Sequence, residues 1–164
     1  MMGEILIADL KLTAHAQATL DLLNEYAQEE AGGSCGLSDY VKANLIHELL
    51  QRKQALVLLA FVQGVPAGLV IALEGFSTFA CKPLLNIHDL MVSAEFRGRG
   101  LAKRLLARAE VVAMERGCCK LTLEVLQGNA AAQALYRACG YAGYALKPQM
   151  GIAQFWQKPL PPAA

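Results

Sequence analysis

The sequence predicts an α/β domain in which helices cover both faces of a mixed β-sheet. Three observations predict this fold class. Short apolar runs of strand length alternate along the chain with longer segments that carry apolar residues at helical spacing. The composition, 55% apolar and 18% charged, is that of a globular protein. A chain of 164 residues has the size of one ordinary domain.

The N-terminal part of the chain is predicted to hold one strand and two helices. Residues 4–10 form a short β-like run, and a helix capped by Thr13 follows it. Gly32 interrupts that helix because glycine disfavours a helix interior. Ser38 opens the second helix, in which apolar residues fall on one broad stripe.

The middle of the chain is predicted to be rich in strands. Residues 55–63 and 67–73 are largely apolar and are separated by a Gly-Val-Pro turn, so they form a hairpin. Residues 76–83 show no clear period and are predicted to be a loop, followed by a strand over 84–92 and a further loop over 93–100.

The C-terminal part of the chain is predicted to add two helices and three strands. A helix with an apolar stripe starts at Leu101 and ends before Gly117. Residues 120–125 alternate between polar and apolar, as in a half-buried strand. Asn129 caps a short helix that Gly140 ends.

The end of the chain carries two further strand predictions, over residues 141–144 and 149–158. A single domain is therefore expected over residues 1–158. The proline-rich residues 159–164 cannot pair in a sheet and are expected to fray.

Charge and hydropathy argue against several partners. A formal net charge of +1 is too balanced to favour nucleic acid or an anionic membrane surface. No stretch reaches the roughly 18 apolar residues of a membrane span, and no basic region precedes an apolar run at the N-terminus. We therefore expect a cytoplasmic protein with no membrane contact. The three histidines are scattered without ligand spacing, so no metal site is expected.

The most informative segment joins the strand ending at Val92 to the helix starting at Leu101. A turn between a strand and a helix presents unpaired backbone N–H groups at the positive end of the helix dipole, which suits phosphate oxygens. Gly98 and Gly100 have no Cβ, so a ligand can approach their backbone closely. Arg97 and Arg99 add positive charge, and the segment is therefore a candidate phosphate site.

By itself such a turn is a weak signal, and two other interpretations stay open. A tight turn with solvated arginines would have the same residues, and a short Arg-Gly element can contact nucleic acid, although the balanced net charge disfavours that. The segment is not a P-loop, because G-x-x-x-x-G-K-[ST] is missing. It also lacks the three-glycine Rossmann spacing.

Two blocks carry a family resemblance. Arg97-x-x-Gly100-x-Ala102 resembles the R/Q-x-x-G-x-G/A acyl-CoA block of GNAT acetyltransferases. Further on, Asn129-x-x-Ala132-x-x-Leu135-Tyr136-x-x-x-Gly140-Tyr141 resembles the second block of that family, N-x-x-A-x-x-L-Y-x-x-x-G-F/Y. The blocks stand in the family's order, each in its expected structural context, and the detailed resemblance covers residues 86–144.

The resemblance implies a fold and a donor site. The GNAT sheet is splayed at its centre, between two parallel strands that hold the thioester of acetyl-CoA. By resemblance, Leu90 and Val92 pair with the pantetheine arm through their backbone, and Asn129 touches the pantetheine or pyrophosphate region. The pyrophosphate is then held by the backbone and charge of the turn and the helix start, namely Arg97, Gly98, Arg99, Gly100, Leu101 and Ala102.

The resemblance also implies roles in catalysis. Tyr136 lies near the sulfur and can protonate the leaving thiolate. His88 takes the place where many family members have glutamate, and it is expected to alternate with Leu90 and Val92 on one strand face and to act as the base. Asp89 points to the other face unless a bulge intervenes, and it is assigned to acceptor binding.

An anionic mouth for a cationic amine is a further expectation. Three acids at the end of the first helix would form it, and Glu29 is assigned to acceptor binding. The strand with His88-Asp89 loosely resembles that of diamine and polyamine acetyltransferases, which have adjacent acidic residues there.

The predicted function is transfer of acetyl from acetyl-CoA to a primary amine by direct attack. The acceptor is expected to be a small amine, an amino acid or a polyamine. A protein lysine or N-terminus, or a non-catalytic acyl-CoA-binding module on the same fold, stay open as alternatives. The apolar residues around Phe155 and Trp156, in a part of the sheet through which family members often pair, predict a homodimer.

Overall fold

A computed structural model describes residues 3–161 of the chain. Within that range the sheet has five strands in the order of the sequence, antiparallel except for the last pair, which is parallel. The predicted mixed α/β sheet is confirmed. The strands are β1 (Glu4–Ile7), β2 (Ala55–Val62), β3 (Val65–Ser77), β4 (Lys82–Val92) and β5 (Leu121–Leu123).

Four α-helices are found in the described residues: α1 (Thr13–Gln28), α2 (Asp39–Gln51), α3 (Leu101–Glu115) and α4 (Ala130–Ala138). Two predicted caps are confirmed, because the Ser38 hydroxyl accepts from the Val41 N–H and the Asn129 amide oxygen accepts from the Ala132 N–H. The predicted cap at Thr13 is wrong: Thr13 is already helical, and Leu12 precedes the helix without a side-chain cap.

The helices cover both faces of the sheet, as predicted. One core layer lies between the sheet and α1 and α2, and the other lies under α3, with α4 packed against its rim. Both faces of β2 and β3 are covered, which explains why these strands are apolar without alternation. Helix α3 sits tightly on β3, because a Cβ at Gly68 would lie 3.0 Å from the Leu105 Cδ1.

The predicted loop over residues 76–83 is wrong. Strands β3 and β4 continue to Ser77 and from Lys82, and Phe76 pairs with Pro83 near the hairpin turn. No apolar period marks this region because the hairpin end projects beyond the helices, and Phe76 and Phe79 are exposed. Backbone pairing between β3 and β4 forms the strands here, and burial of side chains contributes little to their stability.

The two strands predicted over residues 141–144 and 149–158 are wrong. After α4 the described chain is irregular apart from a 3₁₀ turn at Pro148–Met150. The backbone bond from the Ala153 N–H to the Tyr144 carbonyl is 2.7 Å long, but no ladder follows it. Most apolar side chains here are exposed, so the pattern has no surface to pack against within one chain. Residues 162–164 of the predicted tail lie outside the described residues.

Candidate active site

The turn between β4 and α3 has the conformation that the sequence predicted for a phosphate site. Gly98 and Gly100 both have φ of 74°, in the left-handed region that favours glycine. Gly100 immediately precedes α3, and no side chain caps the helix. Among the described residues, the N–H groups from position 98 to position 103 donate to no protein acceptor. These N–H groups converge at a helix N-terminus and are available to an anion.

A cavity of about 210 Å³ lies over this turn. A Cβ at Gly98 or at Gly100 would have no atom within 4 Å, so the space next to both glycines is open. The cavity is lined by residues from β4, the turn, α3 and α4, which are Val92, Phe96, Arg97, Gly98, Gly100, Leu101, Ala102, Lys103 and Leu135. The structure thus brings together most of the predicted donor residues, and the unpaired N–H groups and open glycines fit a pyrophosphate.

The two arginines of the turn are placed differently. The Arg99 guanidinium lies 5.7 Å from the centre of the ring of Phe96, which lines the cavity, and Arg99 itself is exposed. The Arg97 Nε donates to the Val92 carbonyl at 2.8 Å, and its Nη2 donates to the Glu29 carboxylate. Glu29, predicted to bind the acceptor, therefore pairs with a predicted donor residue.

Lys103 is a cation of the site that sequence analysis missed. It lies in the first turn of α3, lines the cavity and is exposed. The sequence placed Lys103 opposite the apolar stripe of α3 and gave no indication that this side faces the cavity. Its proximity to the turn, three residues after Gly100, is the signal that could have identified it.

Strands β4 and β5 separate next to this cavity. They pair only from Leu85 to Ile87, and β4 runs on to Val92 without β5 as a neighbour. The Ser93 N–H donates to Ala67 on the β3 side, and the direction of the N–H groups alternates along a strand. The N–H groups of Val92 and Leu90 therefore face the gap, as the predicted splay requires.

A β-bulge lies where the strands part. Ile71 of β3 pairs with Asp89 and Ala72 pairs with Ile87, which leaves His88 as the extra residue. The expected alternation of His88 with Leu90 and Val92 is wrong for this reason. His88 is exposed at the bulge.

The Asp89 carboxyl lies on the face of the sheet covered by α1 and α2. Its pairing partner Ile71 and its neighbour Met91 both belong to that core layer. Burial raises the pKa of Asp89 above its usual range, and the neighbouring His88 partly offsets this rise. Asp89 is thus a half-buried carboxyl without an ion pair among the described residues, and it lies on the face opposite α3, just beyond the point where β4 and β5 stop pairing.

Two tyrosines approach the gap from opposite layers. Tyr136 of α4 packs against the α3 side, with its ring centre 5.9 Å from that of Tyr141. Burial raises the pKa of Tyr136, and Tyr26 of α1 adds to the rise. The pKa of Tyr26 is in turn raised by burial, then by Asp89 and Glu29. Both phenols therefore stay protonated at neutral pH and can donate a hydrogen bond.

Tyr26 was not identified from the sequence. It occupies an apolar-stripe position near the end of α1, where a tyrosine is typical of core packing. Asn129, by contrast, is explained by its cap on α4, a helix that carries Leu135 to the cavity and Tyr136 to the gap.

The comparisons with known proteins agree with this geometry. Residues 17–141 match the Acetyltransferase (GNAT) family. The chain belongs to this family. A GNAT protein of this kind is an acetyl-CoA-dependent N-acetyltransferase, and the predicted activity class is confirmed.

One curated relative and two solved structures show the range of similar proteins. A thialysine N-epsilon-acetyltransferase of Caenorhabditis elegans is 28% identical over 127 residues, which cover 77% of each chain. The ribosomal-protein-alanine N-acetyltransferase of Brucella melitensis biovar Abortus 2308 is 25% identical with a TM-score of 0.65 and covers 96% of this chain and 97% of its own. AAC(6')-Iy, solved with the bisubstrate analogue CoA-S-monomethyl-acetylneamine, has a TM-score of 0.75 at 19% identity, covering 98% and 100%.

The relatives' names span different acceptors, so the family fixes the donor and the class of reaction but leaves the acceptor open. In the described part of this GNAT acetyltransferase, no helix is long and apolar enough to cross a membrane.

Proposed function

We propose that this GNAT enzyme acetylates the primary amine of a small cationic acceptor, namely a small amine, an amino acid or a polyamine, by direct attack on acetyl-CoA. The observation that carries the proposal is the half-buried Asp89 carboxyl beside the gap between β4 and β5. A carboxylate held away from water gains most from a cationic partner, because its own solvation is incomplete.

The surroundings of Asp89 also suit an ammonium group. Tyr26 offers a phenol on the same side, and His88 stands next to Asp89 at the bulge. The thialysine acetyltransferase relative acts, by its name, on an amine of a small amino acid. That likeness supports a small acceptor over a protein.

The acceptor enters as an ammonium ion and must lose two protons, the leaving thiolate takes up one, and one proton is released to solvent overall. The acceptor loses a proton, directly or through water, to His88, and its nitrogen then attacks the thioester carbonyl carbon. The N–H groups of Leu90 and Val92 face the gap and stabilise the carbonyl oxygen as its charge grows. When the C–S bond breaks, Tyr136 donates its proton to the thiolate of coenzyme A, and the nitrogen loses its second proton to solvent.

A panel of amines tests the proposal through release of free thiol from acetyl-CoA. The panel holds thialysine, a polyamine, an aminoglycoside, a peptide with an N-terminal alanine and a peptide with an internal lysine. We expect turnover with a small amine, and a KM for that amine that rises about tenfold or more in Asp89→Asn while the Kd of acetyl-CoA is kept.

The other outcomes select the alternatives. Turnover with peptides alone would assign a protein lysine or N-terminal acceptor and overturn the small-amine proposal. Binding of acetyl-CoA without turnover on any amine would favour a non-catalytic acyl-CoA-binding module.

A further inference from the structure

The C-terminal end of α1 carries two acids that do not stabilise the helix. Glu25 lies in the last turn and Glu29 directly follows the helix, at the end where the dipole is negative. Carboxylates are unfavourable at a helix C-terminus. Their position therefore has to be explained by partners outside the helix.

Both acids hold the segment that leads into the donor turn. The Glu25 carboxylate accepts from the Ala94 N–H at 3.2 Å, and the Glu29 carboxylate accepts from Arg97. Arg97 in turn donates to the Val92 carbonyl at the end of β4. The end of α1 is thus tied at two points to the residues that connect the thioester strand to the pyrophosphate turn.

Tyr26 lies between these two attachment points in the sequence. Glu25 precedes it, Glu29 is three residues later, and the Glu29 N–H donates to the Tyr26 carbonyl at 3.0 Å. The phenol of Tyr26 is within electrostatic reach of Asp89 and of Tyr136. A movement of the donor segment can therefore reach the residue that stands within electrostatic reach of both Asp89 and Tyr136.

We propose that Glu25 and Glu29 couple the two halves of the active site: when a pyrophosphate orders the segment after β4, the two contacts hold the last turn of α1 and keep Tyr26 in place for the acceptor. Glu29 and Arg97 are then positioning residues and not ligands of the acceptor or the phosphate. The inference rests on donor binding and goes beyond the proposed acceptor.

The physical basis is that ordering the donor segment and ordering the end of α1 share one loss of conformational entropy. An exposed hydrogen bond and an exposed ion pair are weak singly, so the end of α1 opens readily when the donor segment moves. Once a ligand has ordered that segment, both contacts persist and the helix end opens less often. This coupling needs no change of the average structure.

Hydrogen exchange with coenzyme A as the probe tests the proposal without a known acceptor. We expect coenzyme A to slow exchange about fivefold or more in residues 97–103 and also in residues 23–29, which it does not touch. The double variant Glu25→Gln, Glu29→Gln should keep the protection of residues 97–103 and lose that of residues 23–29. Glu30→Gln is the matched control, because this exposed acid makes no side-chain bond in the described residues, and it should behave like the parent.

Three other results of this experiment would overturn the coupling between the two halves of the site or the donor site itself. Protection of residues 97–103 without protection of residues 23–29 in the parent would overturn the coupling and leave the donor site intact. Equal protection of the helix end in the parent and the double variant would also overturn it. Protection at neither segment would mean that the donor site itself is misassigned, and with it the proposed function.

Discussion

Tyr136 is the residue whose hydroxyl we assign to the leaving thiolate. If it donates a proton only as the C–S bond breaks, its interaction is stronger in the transition state than in the ground state. Tyr136→Phe should therefore lower kcat on the order of 10²-fold, at the lower end of the effect of a general acid, and leave the Kd of acetyl-CoA nearly unchanged.

Single-turnover kinetics and calorimetry check this prediction. Tyr141→Phe is the matched control, since Tyr141 packs on Tyr136 with ring centres 5.9 Å apart but has no assigned chemistry. Equal kcat in Tyr136→Phe and the parent, with chemistry limiting, would make the tyrosine structural.

The burial of Asp89 should make the stability of the folded protein depend on pH. Burial raises its folded-state pKa, so the group contributes stability that is fully present below its unfolded pKa and is lost as the pH rises through the folded pKa. Asp89→Asn should then melt higher than the parent at pH 7, by on the order of a few degrees, and the difference should vanish in acid below the unfolded pKa.

Thermal melts across pH measure the Asp89 effect. A parent that is more stable than Asp89→Asn at pH 7 would indicate that the carboxylate is stabilised by a partner that the structure does not record. A gain in stability together with a loss of acceptor binding would be the trade-off expected of a functional site.

At the scale of the elements, we expect the junction of β4 and α3 to decide donor binding. Gly100→Val should abolish acetyl-CoA binding, because the branched side chain fills the open space next to the helix N-terminus. The substitution also carries backbone strain, since φ at Gly100 is 74°.

Gly117→Val separates ligand exclusion from strain. Gly117 ends α3 with φ of 69° and equally open surroundings, so the substitution has similar strain far from the donor turn. We expect both variants to lose similar stability in thermal melts and only Gly100→Val to lose binding in calorimetry. Unchanged affinity in folded Gly100→Val would remove the pyrophosphate assignment.

At the scale of the whole molecule, the end of the chain predicts self-association. Its apolar side chains are exposed in the single chain, including Phe155 at 68% and Trp156 at 83%, and β5 stands at the edge of the sheet. Exposed apolar residues and an open sheet edge are each a liability unless a partner covers them. A second copy of the chain is the partner we expect.

Light scattering at assay concentration measures the mass directly. We expect a dimer for the parent and a shift toward monomer for Phe155→Ser, Trp156→Ser. Phe79→Ser is the control, as Phe79 is fully exposed at the β3–β4 hairpin end and should not affect the mass. A monomeric parent would reject the prediction.

The sequence by itself determined the turn that we propose as the donor site. The turn from Val92 to Ala102 is contiguous in sequence, and its glycines, its strand before and its helix after are local properties. Local patterns likewise determined the fold class and the first nine elements in their order. The structure confirmed them because propensity, capping and burial agree there.

Only the tertiary structure decided how the proposed acceptor residues are arranged. The faces of His88 and Asp89 depend on a one-residue bulge between β3 and β4, and a shift of one residue exchanges the faces of a strand. Tyr26 joins the site because α1 packs on that face, and Glu29 meets Arg97 across 68 positions of sequence. The apolar pattern after α4 predicted strands, but a strand needs an edge to pair with, and a single chain does not supply it. Contacts between distant segments fix all of these features, and no local pattern in the sequence encodes them.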